Sequence, residues 1–196
     1  MKTNDILAFF NIADLRDLPD AVASLLDGDR DTRDSAYREL VRLNGYDFSY
    51  DWFQEAYEEE LAQRKQKKQD FTPNELGRLC SILTGSGAGT LHEPTAGNGS
   101  MVIAWWHMMQ RQVLPWEFFP SEHMVYCWEL SDRSIPILLL NLSIRGIMGY
   151  VYHGDVLEKQ VKNRYILLNR TDDCLGFSDV VRANENLIIK PTIYDF

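Results

Sequence analysis

Thr90-Leu91-His92-Glu93-Pro94-Thr95-Ala96-Gly97-Asn98-Gly99-Ser100 is the stretch on which the fold turns. Residues 90–93 read as a short strand, which Pro94 ends. Two glycines spaced two apart then open a helix that runs through Met109. Glycine at a strand-to-helix turn lets the backbone come close to a ligand, and the unpaired amides of the first helical turn can donate to it. A Gly-x-Gly pair without a third glycine is common, so its meaning depends on its surroundings.

Downstream the pattern repeats. Residues 124–130, Met-Val-Tyr-Cys-Trp-Glu-Leu, read as a second strand, and 135–144 as a helix that Gly146 closes. Residues 150–153 form a third strand leading into Gly154-Asp155-Val156-Leu157, residues 165–169 a fourth, and 187–189 a fifth. Strands alternating with helical connections predict an α/β fold with a doubly wound, mainly parallel sheet. In such a sheet ligands lie beyond the carboxyl ends of the strands, where strand order reverses. Three consecutive strands end in an acid: Glu93, Glu129 and Asp155. One such acid is often a helix cap, but three in succession mark a binding edge. Glu129 suits two ribose hydroxyls, and Asp155 an exocyclic adenine amine.

Upstream, Thr72-Pro73-Asn74-Glu75 is a capping box with proline at the first helical position, and Phe71 with Leu76 is spaced as a hydrophobic staple. Residues 1–70 read as a separate helical region preceding an α/β domain over 71–196. Leu18-Pro19-Asp20 starts one helix. Asp31 is placed to cap a second, and Trp52, Phe53, Ala56, Tyr57 and Leu61 share the face of a third. The run Arg64-Lys65-Gln66-Lys67-Lys68 suits the solvated end of that helix better than a phosphate site. Trp105, Trp106 and Trp128 read as core residues, not as stacking platforms.

The chain of 196 residues is 45% hydrophobic and long enough to bury a core. It carries 29 acids against 20 lysines and arginines, a formal charge of −9, and 16 of the acids lie in the first 70 residues. Because phosphate neutralisation supplies most of the affinity for DNA, this balance predicts weak DNA binding, or DNA reached through a partner subunit. The three cysteines and four histidines show no ligand spacing, so no metal is expected, and the thiols read as reduced. No signal pattern opens the chain, and its longest apolar stretch, 135–144, is too short to span a bilayer. The expectation is a cytoplasmic protein with no membrane association.

Phe71-Thr72-Pro73, Glu93-Pro94-Thr95-Ala96-Gly97-Asn98-Gly99, Glu129 and Gly154-Asp155-Val156-Leu157 together resemble the adenine-N6 DNA methyltransferase family, most closely the modification subunit of type I restriction systems. The resemblance covers residues 68–170 and implies S-adenosyl-L-methionine (AdoMet) as cofactor. It places Phe71, Thr72 and Pro73 at the methionine end and Glu93 at the amino group. Gly97, Asn98 and Gly99 pass beneath the ribose, Thr95 is a further cofactor-binding residue, Glu129 takes the ribose hydroxyls, and Asp155 takes the adenine amine. The family's catalytic signature, Asn or Asp followed by Pro-Pro-aromatic, comes after the fourth strand and aligns the target amine while the ring stacks on the flipped base. Here that position reads Asn169-Arg170-Thr171-Asp172. Asn169 stands at the catalytic place, but both prolines and the ring are missing. Asp172 or Asp173 is the nearest acid for a base, and Phe177 a substitute ring.

Two expectations follow. One is an AdoMet-binding, methyltransferase-like protein that is catalytically impaired or partner-dependent. The other is a non-catalytic interaction protein on the same fold, an accessory subunit or inhibitor of a restriction or CRISPR complex, suited to a phage or mobile element. Its acidic helical region would then meet a protein partner, as a solvated cap or as a mimic of nucleic acid. A different methyl acceptor is a third reading, since fold does not fix function.

Overall fold

The computed structural model describes residues 1–56, 74–84 and 89–183. Phe71, Thr72, Pro73, the basic run at 64–68 and the strand expected at 187–189 lie outside the described residues.

Among the described residues, the amino-terminal region holds α1 (Thr3–Phe10), α2 (Leu18–Leu26) and α3 (Arg30–Leu43). Residues 54–56 are helical, while Tyr57 and Leu61 of the expected third face lie outside the described residues. Pro19 sits in the first turn of α2, and Val22 and Leu26 bury its inner face. The cap of α3 falls two residues before the expected one. Asp29, not Asp31, accepts from the Thr32 amide at 3.0 Å and from its hydroxyl at 2.7 Å. This satisfies an amide that the helix cannot pair internally.

Next come α4 (Asn74–Thr84), β1 (Leu91–Glu93), α5 (Ser100–Gln110), β2 (Val125–Glu129), α6 (Ser134–Ser143) and β3 (Gly149–Asp155). β1 pairs parallel with β2, and β2 parallel with β3. Both crossovers step in the same direction, so right-handed connections put α5 and α6 on one face of the sheet. α6 is apolar nearly all round, with Ile135, Ile137, Leu138, Leu140 and Leu142 buried. That suits a helix enclosed between the sheet and α2. Trp105 and Trp106 are buried in the core, while Trp128 is half-buried and stacks on Tyr152 with centroids 4.9 Å apart. The core runs without a break from Ile6 in α1 to Leu167 in the sheet, and the Tyr37 hydroxyl of α3 meets the Ser143 hydroxyl at 2.7 Å.

The sheet then departs from the parallel pattern. β4 (Gln160–Asn169) runs antiparallel to β3, with Asp155 opposite Gln160 and Gly149 opposite Leu167. β5 (Ser178–Arg182) runs antiparallel to β4. A parallel return needs about a dozen residues or more. Here residues 156–159 are the whole connection, and Lys159 takes a left-handed φ of 54° to close the hairpin. β5 was not foreseen from the sequence. Strand order is β1-β2-β3-β4-β5, with two parallel and two antiparallel pairings. The described strands show no reversal of order, so the doubly wound arrangement is not seen among them. What they form is a mixed α/β unit whose parallel half carries both helical crossovers.

One consequence governs the site. The carboxyl ends of β1, β2 and β3 share one edge of the sheet, whereas β4 carries its own carboxyl end to the opposite edge.

Candidate functional site at the carboxyl edge of the parallel strands

The glycine turn is held from two sides. The Ala96 amide donates to the Trp128 carbonyl at 2.8 Å, tying the turn to the end of β2. The Gly97 amide donates to Glu129 Oε2 at 2.8 Å, and the Ser131 amide donates to Oε1 at 2.7 Å. Glu129 is 8% exposed and so bridges the turns after β1 and β2. Both glycines adopt left-handed backbone, φ 54° at Gly97 and 97° at Gly99, but their surroundings differ. A Cβ on Gly97 would face open space, while one on Gly99 would lie 3.0 Å from Leu138 Cδ1 of α6. Gly97 therefore leaves room at the edge, and Gly99 lets the turn rest on α6.

Glu93 Oε1 accepts from the Thr95 amide at 3.2 Å. Asp155 Oδ1 accepts from the Leu157 and Glu158 amides at 2.9 and 3.1 Å, and among the described residues its second oxygen takes no hydrogen bond. Leu130 and Leu157, the apolar residues beside Glu129 and Asp155, are both exposed. Beyond Glu129, Asp132 meets His153 Nε2 at 2.9 Å and Lys162 Nζ at 3.1 Å. The structure thus brings Glu93, Thr95, Gly97, Asn98, Glu129 and Asp155 to one edge. Asn98 alone turns inward. Its side chain is buried beside Asp51, and its carbonyl accepts from Asn141 Nδ2 at 2.9 Å.

Two of these carboxylates keep unused acceptor positions. An ionised carboxylate has about four acceptor positions, of which Glu129 uses two. Asp155 retains one oxygen for an amine donor, and the exposed leucines offer apolar faces to a flat ring. Among the described residues no group of three or more His, Cys, Asp or Glu could hold a metal ion. No described helix is long and apolar enough to cross a membrane.

The expected catalytic residues lie elsewhere. Asn169 pairs with Ser178 of β5, two residues past the Gly149–Leu167 pair that marks the start of β3. It is separated from Asp155 by the length of β3, about 20 Å at roughly 3.3 Å per residue. Asn169 is 2% exposed and engaged on every side. Its Nδ2 donates to the carbonyls of Gly146, Asp173 and Gly176 at 3.2, 2.8 and 3.3 Å. Its Oδ1 accepts from the Thr171 amide and hydroxyl and from the Asp172 amide at 3.2, 3.0 and 3.1 Å.

Asp172 binds the Ser121 amide at 2.8 Å and the Ser121 hydroxyl at 2.7 Å. Asp173 closes its own turn through the Leu175 and Gly176 amides. The Phe177 ring packs edge-on against Tyr37 at 5.2 Å, and Arg170 pairs with Asp179 at 2.5 Å. These residues brace a loop against the core. The structure does not bring Asn169, Asp172 or Phe177 to the edge that carries Glu129.

Sequence reasoning missed Asp51, Asn141 and Arg145. The signal was present in and just after α6, where Asn141 interrupts an apolar helix and Arg145, four residues on, follows its end. A buried polar pair at that spacing calls for partners.

No protein-family model matches the chain, and no curated protein matches it. Among solved structures, the chain is similar to the methyltransferase subunit of a type I restriction-modification system from Streptococcus thermophilus, with 16% identity and a TM-score of 0.43. The match covers 81% of this chain and 40% of that subunit, so the chain spans well under half of its length.

Proposed function

We propose that this chain binds AdoMet at the carboxyl edge of β1–β3 and does not itself transfer the methyl group through Asn169. The observation that carries the proposal is the Glu129 bridge. A buried carboxylate at the end of β2 holds the amide of an open glycine turn at the end of β1, and each of its oxygens, taking one amide, keeps a second acceptor position. AdoMet would supply an electrophilic methyl group on a sulfonium. The chain's own residues bind and orient it. Glu129 accepts from the ribose hydroxyls, Asp155 from the adenine amine, and Glu93 meets the ammonium group, while Leu130 and Leu157 shield the faces of the ring.

Methyl transfer to adenine needs an acceptor for the target amine beside the cofactor. Asn169, the residue the family pattern nominates, has its hydrogen-bonding capacity spent at the opposite edge. The reading is therefore a methyltransferase-like cofactor-binding protein whose catalysis, where it occurs, depends on groups from a partner. The formal charge of −9 supports a partner as the route to DNA.

The test is calorimetric titration with AdoMet and with S-adenosylhomocysteine. We expect micromolar affinity, lost in Gly97→Arg. Beyond its chain neighbours, the Cβ of that variant meets no atom of the described residues within 4 Å, so its side chain extends over the edge at a backbone cost of about 1–2 kcal/mol. Absence of binding at millimolar ligand by the intact wild-type protein would overturn the proposal.

A further inference from the structure

We infer that Asp51 and Asn141 are positioning residues through which the amino-terminal helical region sets the conformation of the Gly97–Gly99 turn. The inference rests, for its meaning in ligand binding, on the cofactor reading above. α6 presents Leu138, Asn141 and Leu142 along one face at i, i+3, i+4 spacing, and Arg145, two residues past its end, continues the stripe at i+7. Leu138 and Leu142 sit under Gly99, within 3.0 and 3.5 Å of where its Cβ would be. Asn141 Nδ2 reaches both the Asn98 carbonyl at 2.9 Å and Asp51 Oδ1 at 2.7 Å. One buried amide thus joins the turn to residue 51.

Asp51 is itself fixed. Its Oδ1 accepts from the Phe53 amide at 2.9 Å, and burial pushes its carboxyl above the usual carboxylate range against the opposing hydrogen bonds and the Arg145 charge. Arg145 closes the other side. It donates to the Phe48 carbonyl at 3.1 Å, the Tyr50 carbonyl at 2.5 Å and the Asn141 carbonyl at 2.8 Å, and lies 4.7 Å over the Trp52 ring. Burial lowers its pKa to about 10, which still leaves it charged at neutral pH. Residues 48–53 are therefore clamped on α6 at the place where α6 holds the glycine turn. Apolar packing alone would fix the helix but not the direction of the Asn98 carbonyl. The Asn141 hydrogen bond fixes that direction, and with it the Gly99 amide of the same peptide. That amide donates to the Ala96 carbonyl at 2.8 Å, whose peptide carries the Gly97 amide that Glu129 accepts from.

The experiment compares wild type, Asn141→Leu, Asp51→Ala and Asp51→Asn by amide hydrogen exchange of the ligand-free protein and by titration with S-adenosylhomocysteine. Asn141→Leu keeps side-chain volume and removes the link. Its turn amides at 96–100 should exchange about tenfold faster, the equivalent of one hydrogen bond of about 1.4 kcal/mol. Ligand affinity should fall by a similar factor, while exchange in β3 stays unchanged. Asp51→Ala should reproduce the loop effect without altering α6, and it decides the matter if Asn141→Leu does not fold. Asp51→Asn keeps an oxygen for Asn141 and should restore slow exchange, a rescue that a general loss of packing would not show. Unchanged turn exchange in Asp51→Ala, or no rescue by Asp51→Asn, would overturn the inference. If wild type fails to bind the ligand, the cofactor reading falls, while the exchange measurement still decides the positioning role.

Discussion

Asn169→Ala separates the two roles that sequence and structure give the same residue. As a catalytic group, its loss would stop methyl transfer and leave the fold intact. The structure requires the reverse. The Asn169 Nδ2 group has two hydrogens shared among three carbonyls, and Oδ1 collects two amides and one hydroxyl. Each such bond contributes about 1 kcal/mol net. The amides of residues 171 and 172 can reach water after the truncation, because Thr171 is exposed and Asp172 half-buried, so their loss costs less. The Gly146 carbonyl, in a buried turn, keeps no replacement. The sum is about 3 kcal/mol, which in a chain of this size lowers the melting temperature by roughly 6–12 °C. S-adenosylhomocysteine affinity should stay within twofold of wild type, since the ligand edge lies about 20 Å away across β3. Scanning calorimetry with and without ligand reads both quantities. A variant that melts like wild type and loses ligand binding or methyl transfer would refute the reasoning.

Two further outcomes follow from the same geometry. Asp179→Ala leaves Arg33, buried in the wild type and paired with Asp179, without its carboxylate, and it frees Arg30 and Arg170. Breaking such a buried pair costs about 3–5 kcal/mol, and a denaturation midpoint indistinguishable from wild type would sink the assignment. His123 stacks on Phe118 at 4.7 Å, and burial holds its imidazole below the ordinary value of 6.5. Below pH 6.5 the unfolded chain takes up a proton that the folded chain refuses, so stability falls as pH drops towards the folded pKa. His123→Phe should reduce the slope of melting temperature against pH between 6.5 and 5, and an unaltered slope would remove His123 as its source.

The parallel half of the sheet was legible because each strand there announces itself three times: by β-forming residues, by an acid at its end and by a helix behind it. β1, β2, β3, α5 and α6 fall within a few residues of where pattern placed them. The fourth strand was legible as a strand but not in direction, because apolar alternation carries no sign of polarity. Direction was encoded in the connection, since residues 156–159 are too few for a parallel crossover. β5 escaped because Ser178-Asp179-Val180-Val181-Arg182 is short, and two of its residues are spent on polar contacts: Ser178 with the Ile147 carbonyl and Asp179 with the arginines. The amino-terminal helices were visible, but their attachment was not. Tyr37 to Ser143, Arg33 to Asp179 and Asp51 to Asn141 are contacts across roughly a hundred residues, which local periodicity cannot reveal. Of the site, the carboxylates and glycines were readable at their positions, whereas the Glu129 bridge to Gly97 emerges only when two turns meet.

That bridge also narrows the ligand. In sheets that hold dinucleotides, the amides of the glycine turn point at a pyrophosphate, and the helix dipole favours its charge. Here the Gly97 amide is already committed to Glu129, and among the described residues the acids at the edge are Glu93, Glu129, Asp132 and Asp155, with Arg133 beside Asp132 at the start of α6. Lys162 answers Asp132 alone. A diphosphate brought to this edge would face carboxylates where it needs amides and cations, and like charges at such range are repulsive even with solvent between them. A nucleoside without phosphate, carrying a sulfonium and an ammonium, meets the opposite situation. Its hydroxyls and amine donate to acids, and its cationic end lies in a negative field. Under the proposed function, the carboxylates of this edge therefore favour AdoMet over a dinucleotide.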